Sequence, residues 1–229
     1  PPADEIEMLQ DGQILCGCLH LAGIHHSKLE FLLKHRITAI AYETVQSDDG
    51  FVPIRAPIGQ IAGRMLPHVA AQLLQNNEGG HGILLGGVPG VPAAKVAILG
   101  AGIVGANAAT AFQGAGADVA VLDTDLRKLQ MLEERGFGGR TMVAYEFNVA
   151  KAVRAADVVI GAVLITGARA PRVVSREMVR SMKPRSVIID VSIDQGGCVE
   201  TSRPTSYQSP TFIEEGVIHY CVPNMTGIV

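Results

Sequence analysis

The sequence predicts an α/β protein built on a doubly wound parallel sheet, joined to part of a second α/β domain. Three observations carry that expectation. From residue 95 to about residue 191, apolar runs of strand length alternate with stretches of helical periodicity. One of those runs, Lys95-Val-Ala-Ile-Leu, opens into Gly100-x-Gly102-x-x-Gly105. The next run, Asp118-Val-Ala-Val-Leu-Asp123, closes on an acid about 20 residues after the first glycine. Together they describe the opening of a Rossmann-type sheet. Gly100 allows a tight turn after the strand, Gly102 allows backbone amides to approach a pyrophosphate, and Gly105 allows the following helix to pack close. Asp123 stands where a carboxylate accepts hydrogen bonds from ribose hydroxyls and repels a 2′-phosphate, which favours NAD.

The remaining elements follow in order. Residues 13–20 read as a buried strand, 29–35 as a helix and 37–44 as a second strand, so the order demands a parallel βαβ unit. Two strands and one helix make a poor independent core, and this portion reads as part of a substrate domain, residues 1–52. From Ile58 to Gln75 the apolar residues recur at helical spacing, with Pro67 predicting a kink or an interruption. The glycines of 79–90 read as a flexible connection. Strand 96–100, helix 103–115, strand 118–123 and helix 125–135 are followed by helix 148–156, strand 157–163, helix 175–182 and strand 186–191, with Met131 expected in the core. A hairpin over 211–222 completes a nucleotide-binding domain assigned to residues 53–229 together with its linking helix.

Composition narrows the function. Aromatics are 4% of 229 residues with no Trp, and the net charge is −3 without a long basic run, which argues against a nucleic-acid partner. No apolar stretch reaches a membrane span, and no signal segment opens the chain. Four cysteines are too few for a secreted disulfide scaffold, so reduced thiols in a cytoplasmic protein are expected.

Two further positions suggest chemistry. Asp194, in Asp190-Val-Ser-Ile-Asp194-Gln-Gly-Gly197, follows a strand's carboxyl end, where ligands of open α/β sheets sit. An Asp that merely caps a turn is the alternative there. His20 ends the first apolar strand and is either a proton-transfer group or a buried histidine bonded to a backbone carbonyl. Cys16, Cys18 and His20 alternate along one strand face, but three ligands without a fourth predict no metal. His25 and His26 read as surface residues, and the acids of Asp4-Glu-Ile-Glu7 as a solvated helix face.

Several longer blocks resemble bacterial L-alanine dehydrogenase. They are Gln13-Ile-Leu-x-x-x-Leu-His20-Leu-Ala, Ala41-Tyr-Glu-Thr-Val-Gln46, Ala62-Gly-Arg-Met65 and Gly82-x-Leu-Leu-Gly-Gly-Val-Pro-Gly-Val91. Ala155–Leu164, Ile193-Asp-Gln-Gly-Gly-Cys198 through Thr205, and His219-Tyr-Cys-Val-x-Asn-Met225 complete the set. The resemblance implies reversible, NAD-dependent conversion of L-alanine to pyruvate and ammonium by a cytoplasmic homohexamer. It implies that His20 and Asp194 are the catalytic pair. It also implies that Asp123 and Lys128 meet the adenosine ribose, while Val163, Leu164, Val191, Ser192, Ile193, Asp194, Arg203, Val222, Pro223, Asn224 and Met225 line the cofactor. The family's carboxylate-binding Arg and Lys would precede Pro1, so the chain is expected to be an interior piece, inactive alone. Gly59 replaces a common Ser, residues 141–150 look like a short adenine-side loop, and Thr226 replaces a usual Pro. A non-catalytic NAD-binding module, or the NAD(H)-binding component of a transhydrogenase, is the alternative.

Overall fold

The computed structural model describes residues 3–19, 26–165 and 168–229. A short helix α1 (Ala3–Ile6) precedes a parallel pair, β1 (Ile14–Gly17) and β2 (Thr38–Ala41), connected through α2 (His26–Lys34). The order strand, helix, parallel strand is the one the sequence demands. The expected burial is not found: β1 alternates exposed and half-buried positions, and Ile14 is 62% exposed. One helix covers so small a sheet, and α2 itself buries only Leu32.

The long helix α3 (Arg55–Leu73) runs through Pro67 as one continuous element, so of the expected kink or interruption the break is not found. Proline removes a single ladder bond, and packing against its neighbour holds the helix. Gly63 makes that packing possible. A Cβ there would lie 2.5 Å from the Val104 carbonyl oxygen and 2.7 Å from Asn107 Cβ, both on α4 (Ile103–Gly114). Gly59 sits one turn earlier against Ile103, where a Cβ would lie 3.0 Å from its side chain, so it too is a packing residue. The glycine-rich connection after α3 is packed and hydrogen-bonded. The Gly82 amide donates to Leu74, Ala94 to Leu85, and Gly86 lies on the Ala115 carbonyl too closely for any Cβ.

The second sheet contains β3 (Lys95–Leu99), β4 (Asp118–Asp123), β5 (Arg140–Val143), β6 (Val158–Gly161), β7 (Val187–Asp190), β8 (Thr211–Glu214) and β9 (Val217–Tyr220). Its order is β5-β4-β3-β6-β7-β9-β8, parallel except for the β8–β9 hairpin. The strand order reverses between β3 and β6, which is the topological switch point of a doubly wound sheet. Strands buried on both faces need apolar residues at every position. Val96–Leu99, Val158–Ile160 and Val187–Ile189 supply them, each at 2% exposure or less. On one face α3, α4 and α5 (Leu126–Glu134) cover the sheet through Leu66, Phe112 and Leu132. On the other, α6 (Glu146–Ala155) and α7 (Arg176–Arg180) do so through Val153 and Val179.

Two expectations fail here. Residues 140–143 form an edge strand and α6 begins at Glu146, so the supposed loop 141–150 is mostly regular structure. Met131 is 49% exposed because Leu129 and Leu132 set the buried stripe of α5, and a residue two places from Leu129 faces away. At the N-terminal rim, buried Asp157 accepts from the Lys95 amide at 2.7 Å and from Lys183 Nζ at 2.6 Å, with His81 Nε2 at 3.3 Å. Among the described residues no helix is long and apolar enough to cross a membrane.

The α3–α4 contact yields a stability test. Gly63→Val overpacks it at a cost of about 1–3 kcal/mol, which lowers the thermal midpoint by about 2–4 °C per kcal/mol. Thermal melting followed by circular dichroism checks this, and an unchanged midpoint contradicts the close approach.

Candidate functional site

The expected site residues within the described segments of the large sheet all follow the carboxyl ends of its strands, apart from Arg203. After β3 the chain turns at Gly100, whose φ is +103° and whose missing Cβ leaves room for the Ala162 carbonyl that follows β6. Gly105 lies against the Gly100 carbonyl oxygen with no space for a side chain. Gly102 differs: a Cβ there would meet nothing within 4 Å. It forms the N-cap of α4 without any side-chain cap. First-turn amides have no partner within a helix and concentrate positive potential. The uncapped turn and the open space at Gly102 therefore fit a diphosphate.

Asp123 closes β4 beside that turn. It is 8% exposed. Its Oδ2 accepts from the Ala101 amide at 2.7 Å, and its Oδ1 from the Asp125 amide at 2.8 Å. Lys128 Nζ stands 3.8 Å from Oδ2. The carboxylate thus holds the glycine turn against the start of α5, and each oxygen retains a further lone pair for a ligand hydroxyl. Asp125 caps α5 by accepting from the Arg127 amide at 3.0 Å.

Asp194 lies in a 3-10 turn, Val191–Gln195, directly after β7. Its Oδ1 accepts from the amide of Asn224 at 3.0 Å, and Asn224 holds left-handed backbone at φ +49°. Val222 and Met225 are buried on either side, Pro223 is half-buried, and the Tyr207 hydroxyl donates to the Met225 carbonyl. Ser192 and Ile193 are buried, Val191 and Val163 are partly buried, and Leu164 is 46% exposed. Arg203 sits elsewhere: its guanidinium lies 4.1 Å from the Phe212 ring, over the β8–β9 hairpin. His20 and His25 lie outside the described residues. Cys18, two positions before His20, is close enough to Glu43 and Asp194 that burial and then those two carboxylates push its thiol up from 9.0. Cys18, just past β1, thus lies within electrostatic range of Asp194.

Sequence reasoning missed three groups near this edge. Glu43 accepts from the Leu19 amide at 3.2 Å, and its charge opposes the burial that lowers the guanidinium pKa of Arg55. Asp190 is 1% exposed, and burial raises its carboxyl above 3.8 against the pull of Ser202, Val199 and Cys198. Glu43 was legible only as part of a family block, whereas Asp190 was visible as a strand-ending acid four residues before Asp194. The thiols at this edge are poor nucleophiles: burial and Asp190 hold Cys198 well above 9.0, and burial lifts Cys221 to about 11.

An open glycine cradle at the switch point of a doubly wound sheet, with an acid closing the neighbouring strand, defines a Rossmann-type nucleotide-binding protein. The family model described as Alanine dehydrogenase/PNT, C-terminal domain, matches residues 67–229, and the chain belongs to that family. An alanine dehydrogenase of Methanococcus maripaludis is 50% identical over 232 residues, an alignment that takes in 100% of this chain and 62% of the relative. A solved L-alanine dehydrogenase superposes with a TM-score of 0.88 at 44% identity, covering 100% of this chain and 63% of that one. A transhydrogenase from Sinorhizobium meliloti superposes with a TM-score of 0.77 at 24% identity over 100% of this chain and 66% of its own, a likeness of fold. The chain thus spans less than two thirds of the length of the alanine dehydrogenases it matches.

His219, on β9, gives the site's support a pH dependence. It is fully buried and stacked on Phe212, with Nδ1 donating to the Val217 carbonyl at 3.0 Å and Nε2 accepting from the Thr201 hydroxyl at 2.7 Å. Burial lowers its pKa below 6.5, with Arg203 and Arg176 adding to the effect and the Val217 carbonyl and Glu214 opposing it. The unfolded chain then binds the extra proton more readily, so this stability is present above pH 6.5 and is lost as pH falls toward the folded-state pKa. Urea unfolding at about pH 7.5 and about pH 5.5 should show a larger acid-side loss in the parent than in His219→Gln. Equal losses in both proteins contradict the assignment.

Proposed function

We propose that this chain is the NAD(H)-binding portion, with one wall of the catalytic cleft, of an L-alanine dehydrogenase that reversibly converts L-alanine, NAD⁺ and water to pyruvate, ammonium and NADH. The observation that carries this reading is that the open glycine cradle at Gly102, the carboxylate of Asp123 and the turn bearing Asp194 all stand at the carboxyl edge of one sheet. The whole-chain likeness to named alanine dehydrogenases supports it. In this reading residues 1–52 belong to the substrate domain and residues 53–229 bind the cofactor.

The residues divide the work by chemistry. The open amides at Gly102 hold the diphosphate, and Asp123 with Lys128 receives the adenosine ribose. Asp123 favours NAD because a 2′-phosphate beside its carboxylate is repelled. Val163, Leu164, Val191, Ser192, Ile193 and residues 222–225 surround the nicotinamide half. NAD, when bound, accepts the hydride from the alanine Cα. Asp194 then takes a proton from the attacking water and returns one to the departing amine, a task suited to a carboxylate just past a strand end. His20, the second catalytic residue that the family resemblance implies, polarises the carbonyl oxygen. The same reading carries a cytoplasmic homohexamer, which sedimentation of the full-length protein tests.

In the full-length protein carrying this chain, L-alanine and NAD⁺ should produce NADH measurable by absorbance. Asp194→Asn should lower kcat by about 100- to 10,000-fold while NADH fluorescence titration still shows binding. Unchanged turnover removes Asp194 from the mechanism. A parent that binds NADH but oxidises no alanine is instead a non-catalytic module or a transhydrogenase component. Asp123→Ala should weaken the preference for NAD over NADP by about 10-fold or more, read as the ratio of kcat/KM values. An unaltered ratio shows that another group reads the ribose.

A further inference from the structure

The end of β7 holds a carboxylate that the proposed reaction does not use. Asp190 Oδ1 accepts from the Ser192 amide at 3.1 Å, and Oδ2 accepts from the amides of Cys198 at 3.0 Å and Val199 at 3.2 Å. The Cys198 thiol approaches Oδ1 at 3.6 Å. Those amides stand on both sides of the turn that presents Asp194. One carboxylate therefore fastens the start and the finish of the segment 191–199. Within the segment, the Gly197 amide donates to the Ser192 carbonyl at 2.9 Å, closing the turn upon itself.

The cavity around this carboxylate leaves no slack. A Cβ at Gly161 would lie 2.8 Å from Oδ1, and one at Gly197 would lie 2.8 Å from Oδ2. Gly197 also holds φ at +79°, and the next two amides both reach Oδ2. All three backbone partners are donors, so the position needs two acceptor oxygens. Asparagine offers one, and its amino group would face N–H groups on the other side. Burying a charge is costly unless hydrogen bonds replace water, and here three amides do so.

We propose that Asp190 is the positioning residue for Asp194, its carboxylate fixing both ends of segment 191–199 and so setting where the Asp194 carboxylate meets the substrate. The proposal rests on the alanine dehydrogenase reading for the role of Asp194. It separates Asp190 from a residue that merely stabilises the fold. A stabilising residue changes how many molecules are folded, whereas a positioning residue changes what each folded molecule does.

The test uses Asp190→Asn in the full-length protein, with active molecules counted by NADH titration. The expected result is a fall of about 10- to 100-fold in kcat per NADH-binding site. Amide hydrogen exchange, followed by mass spectrometry, should quicken across 191–199 and stay unchanged in β3 and β4. Unchanged kcat per binding site, or unchanged exchange across 191–199, overturns the proposal. If Asp190→Asn does not fold, Gly197→Ala keeps Asp190 and crowds its Oδ2, and the same split is expected. Full kcat in Gly197→Ala then overturns the proposal. A parent without alanine turnover defeats the alanine dehydrogenase reading, and the exchange measurement alone then decides whether Asp190 holds the segment.

Discussion

The structure depends on a place where backbone touches backbone. At the switch point the Gly100 carbonyl occupies the space of a side chain at Gly105, and the Ala162 carbonyl occupies the space of one at Gly100. That contact seats α4 directly on β3 and draws the ends of β3 and β6 together. It also fixes Ala101, whose amide meets Asp123. Gly63 extends the same close approach outward, bringing α3 onto the Val104 carbonyl of α4. The open ground at Gly102 exists because everything around it is crowded. A ligand site of this kind is a gap left in tight packing, and the glycines mark its border.

Much of this was legible in the sequence. The alternation of strands and helices, the glycine turn and the acid at the end of β4 all carry strong local signals, and each stands where it was expected. What escaped lacked such signals. β5 is a half-exposed edge strand of four residues, Arg140-Thr-Met-Val143, with too little apolar character to stand out from a loop. Pro67 looked like a kink or an interruption because local propensity ignores the neighbouring helix. Asp190 and Asp194 were visible as a pair, but spacing alone cannot say which oxygen faces inward to the backbone and which faces the cleft.

The acids at this edge share one electrostatic strategy. Asp123, Asp190 and Asp194 each accept from main-chain amides, and the nearest cation to Asp123 stands 3.8 Å away. Main-chain donors are fixed by the fold and cannot swing aside, unlike a lysine. Carboxylates held in this way keep their place when a ligand enters or leaves. The buried thiols beside them are pushed toward their protonated forms, which leaves oxygen groups to act at the rim.

The opposite rim has a different character. Asp157 gathers the first strand of the sheet through Lys95, the approach to β7 through Lys183 and the connecting segment through His81. It lies at the far end of the strands from Gly100 and Asp194. The sheet is thus rooted at one end and open to a nucleotide at the other, with a strand's length of apolar core between them. The root and the cradle are built from separate residues, so the Asp157 network gathers the strands without touching the rim that carries Gly102.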